Sequence, residues 1–307
     1  MKIAVIGTGG VGGYFGGKLA KAGNDVTFVA RGEHLKAIQQ NGLIVKSIKG
    51  DFKIENTQAT DDISSIGFVD LIILGVKAWQ VKEIGKNLFP IIKPNTVILP
   101  LQNGVLASEE LKEHLNVENI IGGLCRILSK IDSAGVVNHF GFEPSIIIGE
   151  LDNLKTERIQ NIKTLFEAAD IKTIISNNIQ ADLWKKFISI CLSGLLAVTK
   201  TNYGQLRELK ETRQMMIELH TEIYNLSQKI GIQIESDFID KTISLNDSLP
   251  YDSTTSLARD VWDGKPSEIE YQNGTVVKLA EKYGIDTPIN RFVYSCVLPM
   301  EKKARKQ

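Results

Sequence analysis

Cysteine is scarce in this chain, with three in 307 residues. Cys125, Cys191 and Cys296 are far apart, odd in number and form no C-x-x-C pair. This argues against a disulfide framework or a thiolate metal site. The three read as buried or free thiols of a reducing, cytoplasmic setting. Histidine is equally thin: His34, His114, His139 and His220 are widely spaced and suggest no metal site. Net charge is absent, because Lys+Arg and Asp+Glu are 36 each. No global field therefore draws the chain toward nucleic acid or a membrane surface. The longest basic cluster, Lys302-Lys303-Ala304-Arg305-Lys306, reads as a frayed helix end. No apolar run reaches the roughly 20 residues of a membrane span. Met1-Lys2 leads directly into an apolar run, without the pattern of a secretory signal. The length suits two domains.

What is present begins at once. The apolar run Lys2-Ile3-Ala4-Val5-Ile6 is followed by Gly7-Thr8-Gly9-Gly10-Val11-Gly12, a helical stretch to Gly23, and a second apolar run, Asp25 to Ala30. Strand, G-x-G-x-x-G, helix and strand, in that order, place a dinucleotide pyrophosphate on a helix N-terminus. Gly7 allows the tight turn, Gly9 lets phosphates approach the backbone, and Gly12 lets the helix pack on the strand. A glycine-rich turn without ligand is the plainer alternative. The second strand ends in Val29-Ala30-Arg31-Gly32, where an NAD site would carry Asp or Glu. Arg31 offers a permanently charged planar fork suited to a 2′-phosphate, so NADP is the expected cofactor. A solvated loop arginine is the alternative, and Glu33 lies close by.

The first half alternates β-rich runs with helical patterns, as a doubly wound parallel sheet does. Leu43–Ser47 and Asp51–Ile54 read as a hairpin insertion. Residues 70–76 and 96–101 read as buried parallel strands, and 119–123 as another. Residues 136–140 and 145–149 read as a closing pair. Arg158 to Ala169 reads as an amphipathic helix and 173–175 as a last short strand. Beyond Asn178 the patterns are almost only helical: 182–198, nearly apolar all round and so expected at the centre, then 207–229, 236–245, 253–262, 267–283 and 290–303. The expected fold is α/β, an N-terminal Rossmann-type doubly wound parallel sheet over residues 1–175 with a C-terminal all-helical domain over 176–307. The active site is expected in the cleft between them, outside the carboxyl ends of the strands. The apolar helix suits burial within one subunit or at a homodimer interface.

Four residues attract attention as chemistry. Lys186 lies in the most apolar helix, where burial would lower its pKa and suit it to proton transfer. The alternative is a lysine that snorkels to the surface beside Lys185. Glu268 lies in Pro266-Ser267-Glu268-Ile269-Glu270, where Ser267 and Glu270 read as a capping box and Glu268 as a first-turn acid. Asn103, in Gln102-Asn103-Gly104, follows a strand at the edge where ligand loops emerge, or is a simple Asn-Gly turn. Lys77 follows the strand ending at Val76 in the same way.

Together these pieces resemble the ketopantoate reductase (2-dehydropantoate 2-reductase) family over nearly the whole chain. The resemblance rests on Gly7 to Gly12, Arg31, Val76-Lys77-Ala78-Trp79-Gln80-Val81 and Gln102-Asn103-Gly104. It rests most specifically on Leu183-Trp184-Lys185-Lys186 with Thr254-Thr255-Ser256-Leu257-Ala258-Arg259-Asp260 and Pro266 to Gly274. It implies NADPH-dependent reduction of ketopantoate to pantoate, toward pantothenate and coenzyme A. Lys186 would be the general acid. Glu268 would orient substrate or cofactor ribose, and Asn103 would bridge the two. Ser256 would contact the substrate carboxylate, and Lys77 would line the cofactor pocket. Family members usually carry asparagines four and eight residues after the lysine. Here those positions are Ile190 and Gly194, which make the wall more apolar and open space. Ser189 and Ser193 project near the same face as substitutes. Another 2-keto acid as substrate, and a non-catalytic NADP(H) sensor, are the alternatives. A 3-hydroxyacid dehydrogenase is disfavoured, because its N-x-x-K pattern is missing.

Overall fold

The computed structural model describes residues 1–306. Two compact units divide them. One is Met1–Gln102 with Leu106–Gln180, and the other takes Asn103–Val105 and the chain from Ala181 onward.

The first unit opens with β1 (Lys2–Ile6), α1 (Gly10–Lys21), β2 (Asp25–Val29) and α2 (Gly32–Asn41). Next come β3 (Leu43–Ser47), β4 (Phe52–Ile54), β5 (Gln58–Thr60), β6 (Leu71–Leu74), α3 (Val81–Asn87), β7 (Val97–Pro100) and α4 (Ala107–Lys112). It closes with β8 (Gly122–Ser133), β9 (Val136–Gly149), α5 (Glu157–Ala168) and β10 (Lys172–Ile175). The main sheet runs β5-β2-β1-β6-β7, with every pairing parallel. Its central strands are apolar on both faces, as a sheet covered on both sides requires. Alternation then divides them between two cores. Ile3, Val5, Leu71, Ile73 and Leu99 join one core, while Ala4, Ile6, Ile72, Leu74 and Ile98 join the other.

The β3–β4 hairpin forms as expected, but it belongs to a second sheet, β10-β9-β3-β4, with β8 on β9. Here two expectations give way. Residues 119–123 do not form a parallel strand, because only Ile120 bridges to Ile98. From Gly122 the chain instead runs on to Ser133, antiparallel to β9. The two closing strands at 136–140 and 145–149 are one strand, β9. The far half of β8 is largely solvent-exposed and carries Arg126, Lys130 and Asp132, so it offers no apolar run to read.

Helix α1 has glycine at five of its twelve positions, although glycine disfavours helix. Close approach on several sides explains them. A Cβ at Gly16 would sit 2.7 Å from Val5 and 2.8 Å from Phe28, and one at Gly13 2.6 Å from Val137 of β9.

The second unit contains most of α6 (Ile179–Thr199), then α7 (Tyr203–Glu208), α8 (Lys210–Ile230), α9 (Phe238–Ser248), α10 (Ser256–Trp262), α11 (Asn273–Tyr283) and α12 (Pro288–Ala304). Phe187, Ile188, Cys191, Leu192, Leu195 and Leu196 of α6 are fully buried, so this helix is the centre of its core, as its composition predicts. The single helix expected at 207–229 is broken at Leu209, whose extended backbone separates α7 from α8. No helix of the described residues is long and apolar enough to cross a membrane.

Candidate active site

In the first unit the glycine loop is tied to the end of β2. The N–H groups of Gly7 and Thr8 both donate to the Val29 carbonyl, at 3.1 and 3.0 Å. The Thr8 hydroxyl donates to the same oxygen at 2.9 Å. Gly7 has φ +96°, a left-handed conformation that leaves no room for a side chain against Val76. A Cβ at Gly12 would strike the Gly7 carbonyl, so this glycine fixes the distance between α1 and β1. Gly9 differs: a Cβ there would meet nothing within 4 Å. As N-cap of α1 it supplies no side chain, and no acid lies in the first turn. The positive end of the helix dipole is thus presented without a protein anion or cap. Gly10 packs on Ser129, Val11 is half-buried, and the space beside Gly9 is open.

A residue that the sequence did not single out also holds this loop. His34 Nδ1 accepts from the Gly135 N–H at 3.0 Å, so its Nε2 carries the proton and donates to the Thr8 carbonyl at 2.8 Å. No spacing or motif marks His34, since its partners lie 26 and 101 residues away. Arg31 is the exposed N-cap of α2, with no hydrogen bond or ion pair of its guanidinium among the described residues. Glu33 is engaged with Lys36 at 2.8 Å. Lys77 is exposed, with its ammonium 5.8 Å from the Trp79 ring centroid. Gln102 donates to the carbonyls of Leu74 and Val76, tying β7 to the end of β6, while its buried Oε1 has no hydrogen-bond partner among the described residues.

In the second unit, Asn103 Nδ2 donates to Glu268 Oε2 at 3.3 Å. Glu268 is 6 % exposed. Gly104 has φ +100°, and a Cβ on it would lie 3.0 Å from the Tyr271 carbonyl, so the bend at Asn103-Gly104 favours glycine. The expected capping box is not formed. Ser267 spends its hydroxyl on Glu301, a short 3-10 turn covers Ile269–Tyr271, and α11 begins only at Asn273.

Lys186 is half-buried on α6 rather than sealed in the core. Lys185 pairs with Glu235 at 2.7 Å, and the neighbouring position points about 100° away around the helix. Ile190 is half-buried. Gly194 does not open space, contrary to expectation. A Cβ on it would overlap Asn273 Oδ1 and sit 2.6 Å from Val293. Asn273 is held there by its bonds to the Cys191 carbonyl, 3.1 Å, and Asn290, 2.9 Å. Ser189 donates to the Lys185 carbonyl at 3.1 Å, and Ser193 is buried. Ser256 is the exposed first residue of α10, behind the Thr255 cap.

The second unit carries Lys186, the Asn103–Glu268 pair and Ser256, and the first carries the glycine loop. Residues 3–153 match the family model described as "Ketopantoate reductase PanE/ApbA", and residues 178–301 match its C-terminal counterpart. The chain belongs to the ketopantoate reductase family. A 2-dehydropantoate 2-reductase of Nostoc sp. is 32 % identical over 303 residues, 95 % of this chain and 93 % of that one. The crystal structure of a PanE/ApbA family ketopantoate reductase from Ralstonia eutropha superposes with TM-score 0.91 at 28 % identity, covering 99 % of this chain and 100 % of that one. A ternary structure of D-mandelate dehydrogenase with NADH and anilino(oxo)acetate shares the fold at TM-score 0.90 and 24 % identity, covering 99 % of each chain. Membership makes the chain an oxidoreductase of small keto acids that uses a nicotinamide cofactor.

Proposed function

We propose that the chain reduces 2-dehydropantoate (ketopantoate) to pantoate with NADPH, a step toward pantothenate and coenzyme A. The observation that carries this reading is the Asn103–Glu268 hydrogen bond, which joins two family site residues 165 positions apart. The glycine loop from Gly7 to Gly12 holds the pyrophosphate, with the N-terminus of α1 as its counter-charge. Arg31 meets the 2′-phosphate, and the nearby Glu33 is paired at the surface with Lys36. Lys77 lines the cofactor pocket. Bound NADPH supplies the hydride for the carbonyl carbon. Lys186 donates a proton to the ketone oxygen and stabilises the charge that develops there. Glu268 orients the substrate hydroxyl or the cofactor ribose, and Asn103 keeps that carboxylate aimed. Ser256 contacts the substrate carboxylate.

A second reading, a different 2-keto acid, is favoured by α6. Ile190 stands where the family places an amide, and Asn273 occupies the space beside Gly194. Ser189 and Ser193 remain the candidate polar groups, although Ser189 is already bonded to its own helix. A pocket without those amides loses discrimination for a hydroxylated substrate.

NADPH oxidation with ketopantoate and a panel of aliphatic and aryl 2-keto acids tests both readings. Preference for ketopantoate supports the first. Turnover of other keto acids alone supports the second. Tight NADPH binding without turnover of any would point to a sensor.

A further inference from the structure

The cluster Lys302–Lys306 reads from the sequence as a frayed helix end, but Arg305 within it is engaged with the last turn of α12. Glu301 is only 1 % exposed. A carboxylate persists in such a place only where donors surround it. Its Oε2 accepts from the Ser267 N–H at 2.6 Å and from the Ser267 hydroxyl at 2.7 Å. Its Oε1 lies 2.5 Å from Arg305 Nε, one turn further along, an ion pair whose angle falls outside hydrogen-bond geometry. Arg305 Nη2 in turn donates to the Ser267 carbonyl at 3.4 Å. Carboxylate and guanidinium therefore grip Ser267 by both its N–H and its C=O.

Ser267 directly precedes Glu268. Its N–H lies in the peptide plane shared with Pro266, and its C=O in the plane shared with Glu268. Each plane is rigid, so fixing two in succession fixes the Cα of Glu268. On the downstream side the Glu268 carbonyl accepts from the Tyr271 and Gln272 N–H groups at 3.0 and 2.9 Å, so the upstream side is where the grip on Ser267 matters. Pro266 has no N–H, and the nearest backbone bond upstream is Lys265 N–H to the Asp260 carbonyl at 2.8 Å.

We propose that Glu301 and Arg305 form a positioning pair for Glu268, holding the Ser267 backbone so that the Glu268 carboxylate meets Asn103. The inference rests on the reading of Glu268 as a site residue. The pair is defined by contacts with Ser267 and between its own two members. It acts through the backbone, and a grip that merely stabilised the fold would leave turnover intact.

The test uses the full chain with Arg305→Ala, Arg305→Lys, Glu268→Ala and the Arg305→Ala/Glu268→Ala double variant. Three quantities are read: kcat and KM with the best 2-keto acid, the unfolding midpoint, and amide exchange over residues 264–268 without cofactor. Arg305→Ala is expected to lower kcat about tenfold with KM within about threefold, and to speed exchange at Ser267 and Glu268. Arg305→Lys keeps the charge without the fork and should fall between. In the Glu268→Ala background the Arg305 change should cost no further kcat, while its effect on the midpoint persists. An unchanged kcat in Arg305→Ala, beside a crippled Glu268→Ala, would reduce the pair to a structural staple. Equal losses in both backgrounds would overturn the proposal as well. If Glu268→Ala turns over like the parent, the reading of Glu268 fails first and the positioning role with it. Should Arg305→Ala not fold, Glu301→Gln and Arg305→Lys carry the same comparison.

Discussion

The glycine loop at Gly7–Gly12 and the stretch from Ser267 to Asn273 both lead into a helix, yet they are held in opposite ways. The loop is fixed chiefly by its neighbours. Its tight turn, its packing on β1 and its bonds to the next strand arise within about one β-α-β unit, and Val76, Ser129 and the His34–Gly135 bridge add to them from outside it. The later stretch is fixed from afar. Ser267 is gripped by Glu301, Glu268 is met by Asn103, and Asn273 is locked to Cys191 and Asn290. The same contrast holds beneath α6, where the fully buried His220 donates from Nδ1 to the Ile188 carbonyl and accepts from Asn246 at Nε2. One site is a local rule written in spacing, and the other is a set of buried polar contacts between distant segments.

The sharpest way to break the local rule is Gly12→Ala. Its methyl would collide with the Gly7 carbonyl, and neither backbone can yield. A loss of about 3 kcal/mol of stability and at least about 100-fold in NADPH affinity is expected, read by urea unfolding and fluorescence titration. Gly9→Ala is the control. Its methyl meets no protein atom, so the unfolding midpoint should hold while NADPH affinity falls about tenfold.

The distant contacts should instead show in acid. Burial lowers the pKa of His220 from 6.5 to about 4. Between those values the unfolded chain binds a proton that the folded chain refuses, so stability falls as pH drops through this window. The loss should total about 3 kcal/mol by pH 4. Urea midpoints at pH 7 and pH 4.5 measure it, and His220→Gln should flatten the difference.

Gly194→Asn restores the family amide but drives it into Asn273, at a cost of about 2 kcal/mol. Ile190→Asn, at a half-buried position, should fold normally and raise the preference for hydroxylated keto acids, read as the ratio of kcat/KM values. The smallest effect belongs to Arg31→Ala. It should weaken NADPH about tenfold, about 1.4 kcal/mol, and leave NADH unchanged.

This contrast also explains what the sequence made legible. Four strands of the parallel sheet (β1, β2, β6 and β7), the β3–β4 hairpin and the central α6 follow from apolar runs and their period, whereas the edge strand β5, Gln58-Ala59-Thr60, has no apolar run to read. The Asn-Gly turn was visible as well, though not its partner. The capping box at Ser267 was misread because a local pattern was trusted where a residue 34 positions away decides. Gly194 was misread as empty space because nothing near it in sequence names Asn273. The β8 ribbon lacked apolar alternation, and His34 carries no signal at all. Long-range polar contacts have no periodicity, so single-chain reading meets its boundary there.

The measurement that bears most directly on the account is Lys186→Ala, with steady-state NADPH oxidation and equilibrium NADPH binding followed side by side. If Lys186 is the general acid, turnover should drop at least about 1000-fold while the NADPH Kd stays within about twofold. Turnover that survives the substitution would contradict the assignment of Lys186 and the chemistry built on it.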